Sequence, residues 1–250
     1  MSAQLARRAV VSVFLRSFLI QGSWNYRTML GSGFAFSLLP GLRSIFGGDR
    51  DRVEAALQRH VEHFNAHPYL AGLALGAVLR LEAEGEDPEA IRRFKLAVRG
   101  PLGGIGDALV WATLLPGVAV LTLVAYALGA PGWACVAGFL LVYNAVHLGL
   151  RAWGLSVGLA RGRDVAAPLA RADLGGWAAR MQGGVALALG VLVGLLLSGP
   201  QGVAGAGAVW IVPAVAAFLA GLLVGHQVWR PAAATVVVVI GLLAAVGLFK

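Results

Sequence analysis

Residues 100–111 read GPLGGIGDALVW, a glycine-rich stretch with one acid, Asp107, that leads directly into a long apolar segment. A carboxylate at the start of a membrane helix is costly, so such a residue marks a functional site by default. The four glycines and the proline predict irregular backbone. Irregular backbone at membrane depth survives only where it is buried in protein or lines a polar cavity. The stretch therefore favours a transport pathway over a simple anchor.

The composition predicts an integral membrane protein. Of the 250 residues, 58% are hydrophobic and only 13% are charged, a balance that soluble domains rarely have. The net charge is +8, but the arginines flank apolar segments, which is a membrane-topology signal and does not point to nucleic acid. The single cysteine, Cys135, lies in an apolar run without a basic neighbour that would activate its thiol.

Five apolar segments are long enough, or nearly so, to cross a bilayer, which takes roughly 20 residues. They are residues 105–129, 132–150, 183–198, 203–225 and 232–249. Arginine and lysine precede the first segment, separate the second from the third, and separate the fourth from the fifth. These connections are therefore expected on the cytoplasmic side.

The chain is predicted to form one membrane domain with two parts. Residues 1–99 are expected to form an amphipathic and re-entrant helical region, and residues 100–250 a transmembrane helical region. The dozen apolar residues at 69–81 suit a re-entrant segment better than a crossing. The predicted fold class is an all-α integral membrane protein, a helical bundle with re-entrant glycine-rich hairpins and about five C-terminal membrane spans.

Two helices are predicted within the first part. Residues 51–67 place apolar side chains at helical spacing, with Asp51 as the expected capping residue and Pro68 as the stop. Asp87 and Pro88 predict the start of the next helix, with the aspartate as its cap and the proline at its first position.

Five stretches that follow one another over residues 14–160 carry a more specific signal. They are RSFLIQGSWNY at 16–26, the segment from GF to LLPGL at 33–42, HVEHFNAHPY at 60–69, GPLGGIGD at 100–107 with Trp111 just beyond, and YNAV with RAWGL at 143–155. Together they resemble the IID membrane subunit of the mannose/fructose/sorbose family of the phosphoenolpyruvate-dependent sugar phosphotransferase system (PTS).

The resemblance implies half of a bacterial sugar permease in the inner (cytoplasmic) membrane. A IID subunit is expected to form the sugar path with a IIC membrane subunit, and such pairs are expected to assemble as a trimer of pairs. Cytoplasmic IIA and IIB proteins would pass phosphate to the hexose, with the phosphate carried on a histidine of IIB. The chain itself is therefore expected to hold no catalytic residue and no cofactor.

Three polar residues in the resembling stretches are candidates for the sugar site. Asn65 and His67 precede Pro68, where they either cap a helix end or bind sugar hydroxyls, because an amide and an imidazole can each donate and accept. Asp107 either caps a helix N-terminus or accepts a hydrogen bond from a sugar hydroxyl. At Asp107 the two roles are compatible.

A second polar group, Gln21, Ser23 and Asn25, lies in a moderately apolar stretch. Gln21 and Asn25 are four residues apart, so they would share one face of a helix. They either make structural hydrogen bonds to the partner subunit or to the hairpins, or they form part of the sugar cavity.

Two other functions remain open from the sequence. His60, His63 and His67 have a helical spacing that could suit a metal, but no further ligand cluster accompanies them, and no metal site is predicted. A regulatory or binding membrane protein that no longer transports sugar is the main alternative. Three residues that are unusual for the family motivate it: Arg99, Ala108 and Arg180.

Overall fold

The structure is a computed structural model that describes residues 5–198. Within that range every regular element is a helix, and the only β pairing is a pair of isolated bridges, Asn25 with Met29 and Met29 with Phe64. The α-helices are α1 (Arg7–Ser17), α2 (Gly31–Ile45), α3 (Arg50–His60), α4 (Ala71–Glu84), α5 (Pro88–Gly106), α6 (Leu115–Ala127), α7 (Gly132–Arg161), α8 (Ala166–Ala172) and α9 (Leu174–Ser198). A π-helix, Asp107–Leu114, joins α5 to α6, and a 3-10 turn, Gly162–Val165, follows α7. The predicted helical fold class is confirmed.

Two helical stretches, Pro88–Ala127 and Gly132–Leu196, are long and apolar enough to cross a membrane. The chain turns between them, and Gly129 adopts a positive φ of 98° between α6 and α7. The predicted spans at 203–225 and 232–249 lie outside the described residues. The number of crossings and the re-entrant segment therefore stay predictions.

By internal contacts the chain divides into two compact units, Met1–Leu189 and Gly190–Lys250. Of the second unit the structure describes residues 190–198, which are helical and belong to α9. The predicted boundary between residues 99 and 100 falls inside α5. That boundary concerns position in the membrane and stays a prediction.

The centre of the first unit is α4, which is almost wholly buried and packs along α7. Two glycines on α4, Gly72 and Gly76, face two on α7, Gly154 and Gly158, and both pairs have a spacing of four residues. A Cβ on Gly158 would lie 2.7 Å from the backbone nitrogen of Ala77. These small residues let the two backbones touch, which is how helices associate in membranes.

The glycine-rich stretch at 100–106 is helical, which corrects the prediction of irregular backbone there. Gly106 serves a close approach instead of a turn, because a Cβ on it would lie 2.5 Å from the Cγ of His67. Pro101 lies inside α5, and the chain continues from Gly106 into the π-helix without a break. Asp107 therefore does not cap a helix N-terminus, and that alternative was wrong.

Helix α3 is shorter than predicted. Its cap is Asp49, whose side chain accepts from the Arg52 nitrogen at 3.1 Å, and the helix ends at His60, seven residues before the predicted end. Beyond it, Phe64 is fully buried and pairs by backbone with the loop before α2, since its carbonyl accepts from the Leu30 nitrogen at 2.8 Å. This distant pairing overrides the helical spacing of the sequence.

The start of α5 is confirmed as predicted. The Asp87 carboxylate accepts from the Ala90 nitrogen at 3.0 Å, and Pro88 occupies the first helical position. Proline suits that position because its missing N–H would have had no partner within the helix.

A buried ionic cluster joins α3, α4 and α5. Glu82, near the end of α4, accepts two hydrogen bonds from Arg59, at 2.6 and 2.9 Å, and one from His60 Nε2 at 2.8 Å. Lys95 of α5 donates to the Arg59 carbonyl at 2.9 Å. Burial alone would raise the pKa of Glu82, but the hydrogen bonds from His60 and Arg59 lower it. The cluster is thus a set of charges held away from water by mutual pairing.

We expect the folded protein to lose stability as the pH falls from about 6.5 to about 4, because burial lowers the pKa of His60 from 6.5 to about 4. Its Nε2–H donates to Glu82, while its buried Nδ1 has no partner among the described residues. Between these two pH values the unfolded chain binds a proton at His60 that the folded chain does not bind, so the loss of stability reaches about 3 kcal/mol. Melting temperatures of the wild type and His60→Gln across this pH range test it. The melting temperature of the wild type should fall more steeply with decreasing pH than that of His60→Gln. Equal slopes would contradict the assignment. His63→Gln, on an exposed histidine, is the control.

Candidate functional site

His67 lies at the centre of the candidate site, on the segment that leads into α4. Its side chain is 1% exposed, and its Nδ1 accepts from the Tyr69 backbone nitrogen at 3.2 Å. Burial, with smaller contributions from Arg151 and His147, lowers the pKa of His67 to about 4. The ring is therefore neutral at pH 7, with its proton on Nε2, and no described residue accepts a hydrogen bond from that Nε2.

The π-helix places two further groups beside His67. Gly106 touches the imidazole, so Asp107 follows directly after the contact, with an exposed side chain that makes no hydrogen bond within residues 5–198. The Trp111 ring lies 5.3 Å from the His67 ring between centroids and is 47% exposed. The buried His67 ring thus lies against the half-exposed Trp111 ring and against the backbone that directly precedes the exposed Asp107.

An aromatic cluster supports His67 from the side of α7. The Tyr69 ring lies edge-on to His67 at 4.9 Å and stacks on His147 at 3.9 Å. The Tyr69 hydroxyl is 2.9 Å from that of Tyr143. Burial and this hydrogen bond raise the pKa of Tyr69, so the phenol stays neutral. The cluster fixes the orientation of the segment that carries His67.

Arg151 anchors the same cluster from α7. It is 4% exposed and donates to His147 Nε2 at 2.6 Å and to the Ser17 carbonyl at 2.6 Å. Its guanidinium also lies over the rings of Phe18 and Tyr69, 4.8 and 5.4 Å from their centroids. No acidic side chain pairs with it in the part of the chain that the structure describes. The end of α1, where carbonyls carry partial negative charge, compensates the cation instead.

The predicted group Gln21, Ser23 and Asn25 lies on the loop between α1 and α2, so the expected shared helix face was wrong. Asn25 is committed to the loop, since its Oδ1 accepts from the Thr28 nitrogen at 2.9 Å and its Nδ2 donates to the Thr28 hydroxyl at 2.8 Å. Gln21 and Ser23 are exposed. None of the described contacts brings these two side chains to His67.

Asn65 is exposed and two residues from His67. The alternative that Asn65 and His67 cap a helix was wrong, because α3 already ends at His60. His63 faces Arg99, with 3.0 Å between ring Nδ1 and guanidinium, whereas His60 binds Glu82. The three histidines therefore lie in different surroundings. Within residues 5–198 no three or more His, Cys, Asp or Glu side chains come together in a way that could hold a metal ion.

The supporting residues on α7 were not predicted as part of a site. Phe139, Tyr143, His147 and Arg151 are spaced four residues apart and form one polar and aromatic stripe on a mostly apolar helix. Polar residues inside membrane segments are rare and mark functional surfaces. The spacing on α7 is the sequence signal that could have revealed them.

These side chains have the chemistry that a small polar ligand with an apolar face would need. A neutral imidazole offers a directional donor, and leaving that donor unpaired when it is buried costs about 1–3 kcal/mol. A carboxylate offers an acceptor, and an indole ring offers a flat apolar surface beside them. Binding sites for small molecules combine aromatic walls with a few polar groups in this way.

A family model described as the IID component of the PTS system mannose/fructose/sorbose family matches residues 4–198. The chain belongs to this family. The match covers α1 to α9, so the IID assignment rests on the same residues that form the aromatic cluster and the paired glycines. The resemblance seen in the sequence motifs is confirmed.

Individual relatives agree with the IID assignment. The mannose-specific EIID component of Escherichia coli (strain K12) is 35% identical over 170 residues, which is 65% of this chain and 58% of the relative. The fructose permease IID component of Bacillus subtilis (strain 168) is 33% identical over 67% of this chain and 62% of the relative. The aligned region of this IID chain thus spans less than two thirds of the length of these relatives.

Two solved structures share the fold. A chain of the mannose transporter ManYZ in complex with microcin E492 superposes with a TM-score of 0.60 at 26% identity, over 98% of this chain and 96% of that chain. A structure described only as a membrane protein gives a TM-score of 0.73 at 27% identity, over 97% of both chains. The IID chain is therefore a helical membrane protein.

Proposed function

We propose that this chain is a membrane subunit of a mannose-family PTS permease and forms the sugar path with a IIC subunit. In this proposal it crosses the bacterial cytoplasmic membrane several times, and uptake is coupled to phosphorylation by IIA and IIB proteins. The observation that carries the proposal is the Nε2–H of buried His67, which lies beside the Trp111 ring and has no acceptor among residues 5–198. The relatives named for mannose, fructose and sorbose support a hexose as the ligand.

Each candidate residue has a distinct role in the proposal. His67 donates to one sugar hydroxyl, Asp107 accepts from another, and Asn65 can do either. The Trp111 ring packs against the apolar face of the sugar. Asn25 holds the loop that reaches Phe64, next to Asn65, and thereby positions the site. Gln21 and Ser23 are proposed to contact the sugar or the IIC subunit from this loop.

In this proposal phosphoryl transfer belongs to the partner proteins. IIB would donate the phosphoryl group at the cytoplasmic face, and the IIC–IID pair would deliver the sugar to it. A trimer of such pairs is the proposed assembly. The residues of this chain then act by binding and orienting the sugar.

The regulatory alternative has less support. Arg99, one residue that motivates it, faces His63, and Arg180 pairs with Asp173 at 3.0 Å on the exposed surface. Ala108 has no polar side chain, and its backbone carbonyl accepts a hydrogen bond from the Thr113 hydroxyl at 2.7 Å. These positions have local structural roles that do not involve His67.

Uptake assays test the proposed function. A strain that expresses the IIC, IIB and IIA partners should accumulate labelled mannose, fructose or sorbose as the sugar phosphate only when this chain is also present. Restoring the chain on a plasmid should restore accumulation. Unchanged accumulation of every sugar phosphate in the deletion strain would overturn the proposal.

His67→Asn is expected to raise the KM of uptake about tenfold, from the loss of about 1.4 kcal/mol of hydrogen bonding to the sugar. The asparagine oxygen can still accept from the Tyr69 nitrogen, as Nδ1 does at 3.2 Å, but the Nε2 donor is gone. Uptake kinetics at matched membrane expression measure the effect. His63→Gln, on an exposed histidine of the same segment, is the matched control, and an unchanged KM in His67→Asn would remove His67 from the site.

A further inference from the structure

A groove on the first unit is separate from His67 and unused by the proposed transport function. It has a volume of about 450 Å³ and lies between α5 and the segment that follows α7. Its floor contains Phe94 and Leu102, which are buried, and Leu169 of α8 closes its far side. Two exposed arginines, Arg93 and Arg163, border it. We call it the α5 groove.

The charges that border the α5 groove are unbalanced. Arg163 pairs with Glu86 at 2.6 Å, but Arg93 makes no ion pair or hydrogen bond with any residue in 5–198. Every other side chain that lines the groove is apolar. One uncompensated cation therefore lies at the edge of a hydrocarbon-lined groove.

The position of the groove along α5 matches a membrane interface. Residues 88–99 of α5 include Arg92, Arg93, Lys95 and Arg99, whereas the helix continues beyond residue 100 into a stretch apolar enough to cross a membrane. Such a change from cationic to apolar residues is typical of the level of lipid headgroups. Basic pockets between membrane helices on the cytoplasmic side bind the headgroups of anionic lipids.

We propose that the α5 groove binds an anionic phospholipid. The lipid phosphate lies on Arg93, because a guanidinium matches phosphate oxygens through paired N–H donors. One acyl chain lies over Phe94, Leu102 and Leu169. A water-soluble anion would neutralise Arg93 but leave the apolar floor of the groove exposed to water. A neutral lipid would leave Arg93 without an anionic partner. The proposal does not depend on which sugar is carried.

Lipid titration of the purified full chain, co-expressed with its IIC partner in a neutral detergent, tests the proposal. Phosphatidylglycerol should raise the melting temperature, whereas phosphatidylcholine with the same acyl chains and inorganic phosphate should not. Arg93→Gln should weaken the apparent affinity for phosphatidylglycerol about fivefold, the effect of one arginine near a lipid surface. Ala97→Trp, which fills the groove from α5, should abolish the response.

A matched control separates this site from general surface charge. Arg171 is an exposed arginine of α8 that does not line the groove, so Arg171→Gln should keep the wild-type response. Equal weakening by Arg171→Gln and Arg93→Gln would overturn the proposal, as would an equal response to phosphatidylcholine or to phosphate alone. Full lipid binding by Ala97→Trp would also overturn it. Sugar uptake by these variants reports separately on the transport function.

Discussion

Gly158→Leu is expected to lower the free energy of unfolding by about 3 kcal/mol or more. Most of the folded protein should therefore be missing from detergent extracts of this variant. A Cβ at this position would lie 2.7 Å from the Ala77 nitrogen and 2.9 Å from the Gly76 Cα. Both neighbours are backbone atoms of α4, so neither can rotate away. The helices would have to separate, and α4 supplies a larger share of the buried core than any other helix of the unit.

The matched control for this substitution is Gly149→Leu on the same helix. A Cβ on Gly149 meets no atom within 4 Å, and the residue is exposed. Both variants place leucine in a helix, so the difference in yield and melting temperature isolates the contact with α4. Similar melting of the two variants would show that the close glycine packing of α4 on α7 does not hold the unit together.

Glu82→Gln is expected to destabilise the unit by about 3 kcal/mol, because removing one partner of a buried ionic cluster leaves the other charges uncompensated. The Glu82 side chain is 3% exposed and receives hydrogen bonds from Arg59 and His60. Arg59 would lose its paired anion, and Lys95 lies in the same cluster. Thermal or denaturant melts of the purified protein measure the loss.

Glu84→Gln gives the comparison within one helix. Glu84 pairs with Arg80 four residues earlier, and both side chains are at least 40% exposed. An exposed pair of this kind contributes about 1 kcal/mol or less. If Glu84→Gln proved as damaging as Glu82→Gln, the stability attributed to the cluster between α3, α4 and α5 would have another source.

Elements that depend on local chemistry could be predicted from the sequence, whereas elements that depend on distant contacts could not. Asp87 and Pro88 define a helix start through their own backbone and side-chain chemistry, so the start of α5 followed from two residues. The end of α3 did not, because it depends on Phe64 pairing with Leu30, 34 residues earlier in the chain. The spacing of apolar residues at 61–67 fits an extended segment that buries some of its side chains as well as it fits a helix.

The glycines at 100–106 illustrate a second limit. Glycine is common in turns because it has no Cβ, but the same property serves a helix that must approach another segment closely. Gly106 touches His67, and this contact brings the predicted residues of two distant motifs together. Sequence alone does not distinguish the two uses, since the deciding partner lies 39 residues away.

The candidate site was partly predictable. The motifs pointed to His67 and to Asp107, and the structure brings the backbone beside Asp107 into contact with His67. The supporting stripe of Tyr143, His147 and Arg151 on α7 was missed as part of the site. Its role depends on the stacking of Tyr69 on His147, which joins the segment before α4 to α7 and has no signature within either one alone.

The central claim is that this chain contributes His67 to a hexose site shared with a IIC subunit. Equilibrium binding of labelled mannose, fructose and sorbose to the co-purified pair tests it most directly. We predict saturable binding of at least one hexose to the pair, none to IIC alone, and about tenfold weaker binding to the His67→Asn pair. Equal affinity of IIC alone and of both pairs for the same sugar would contradict the claim.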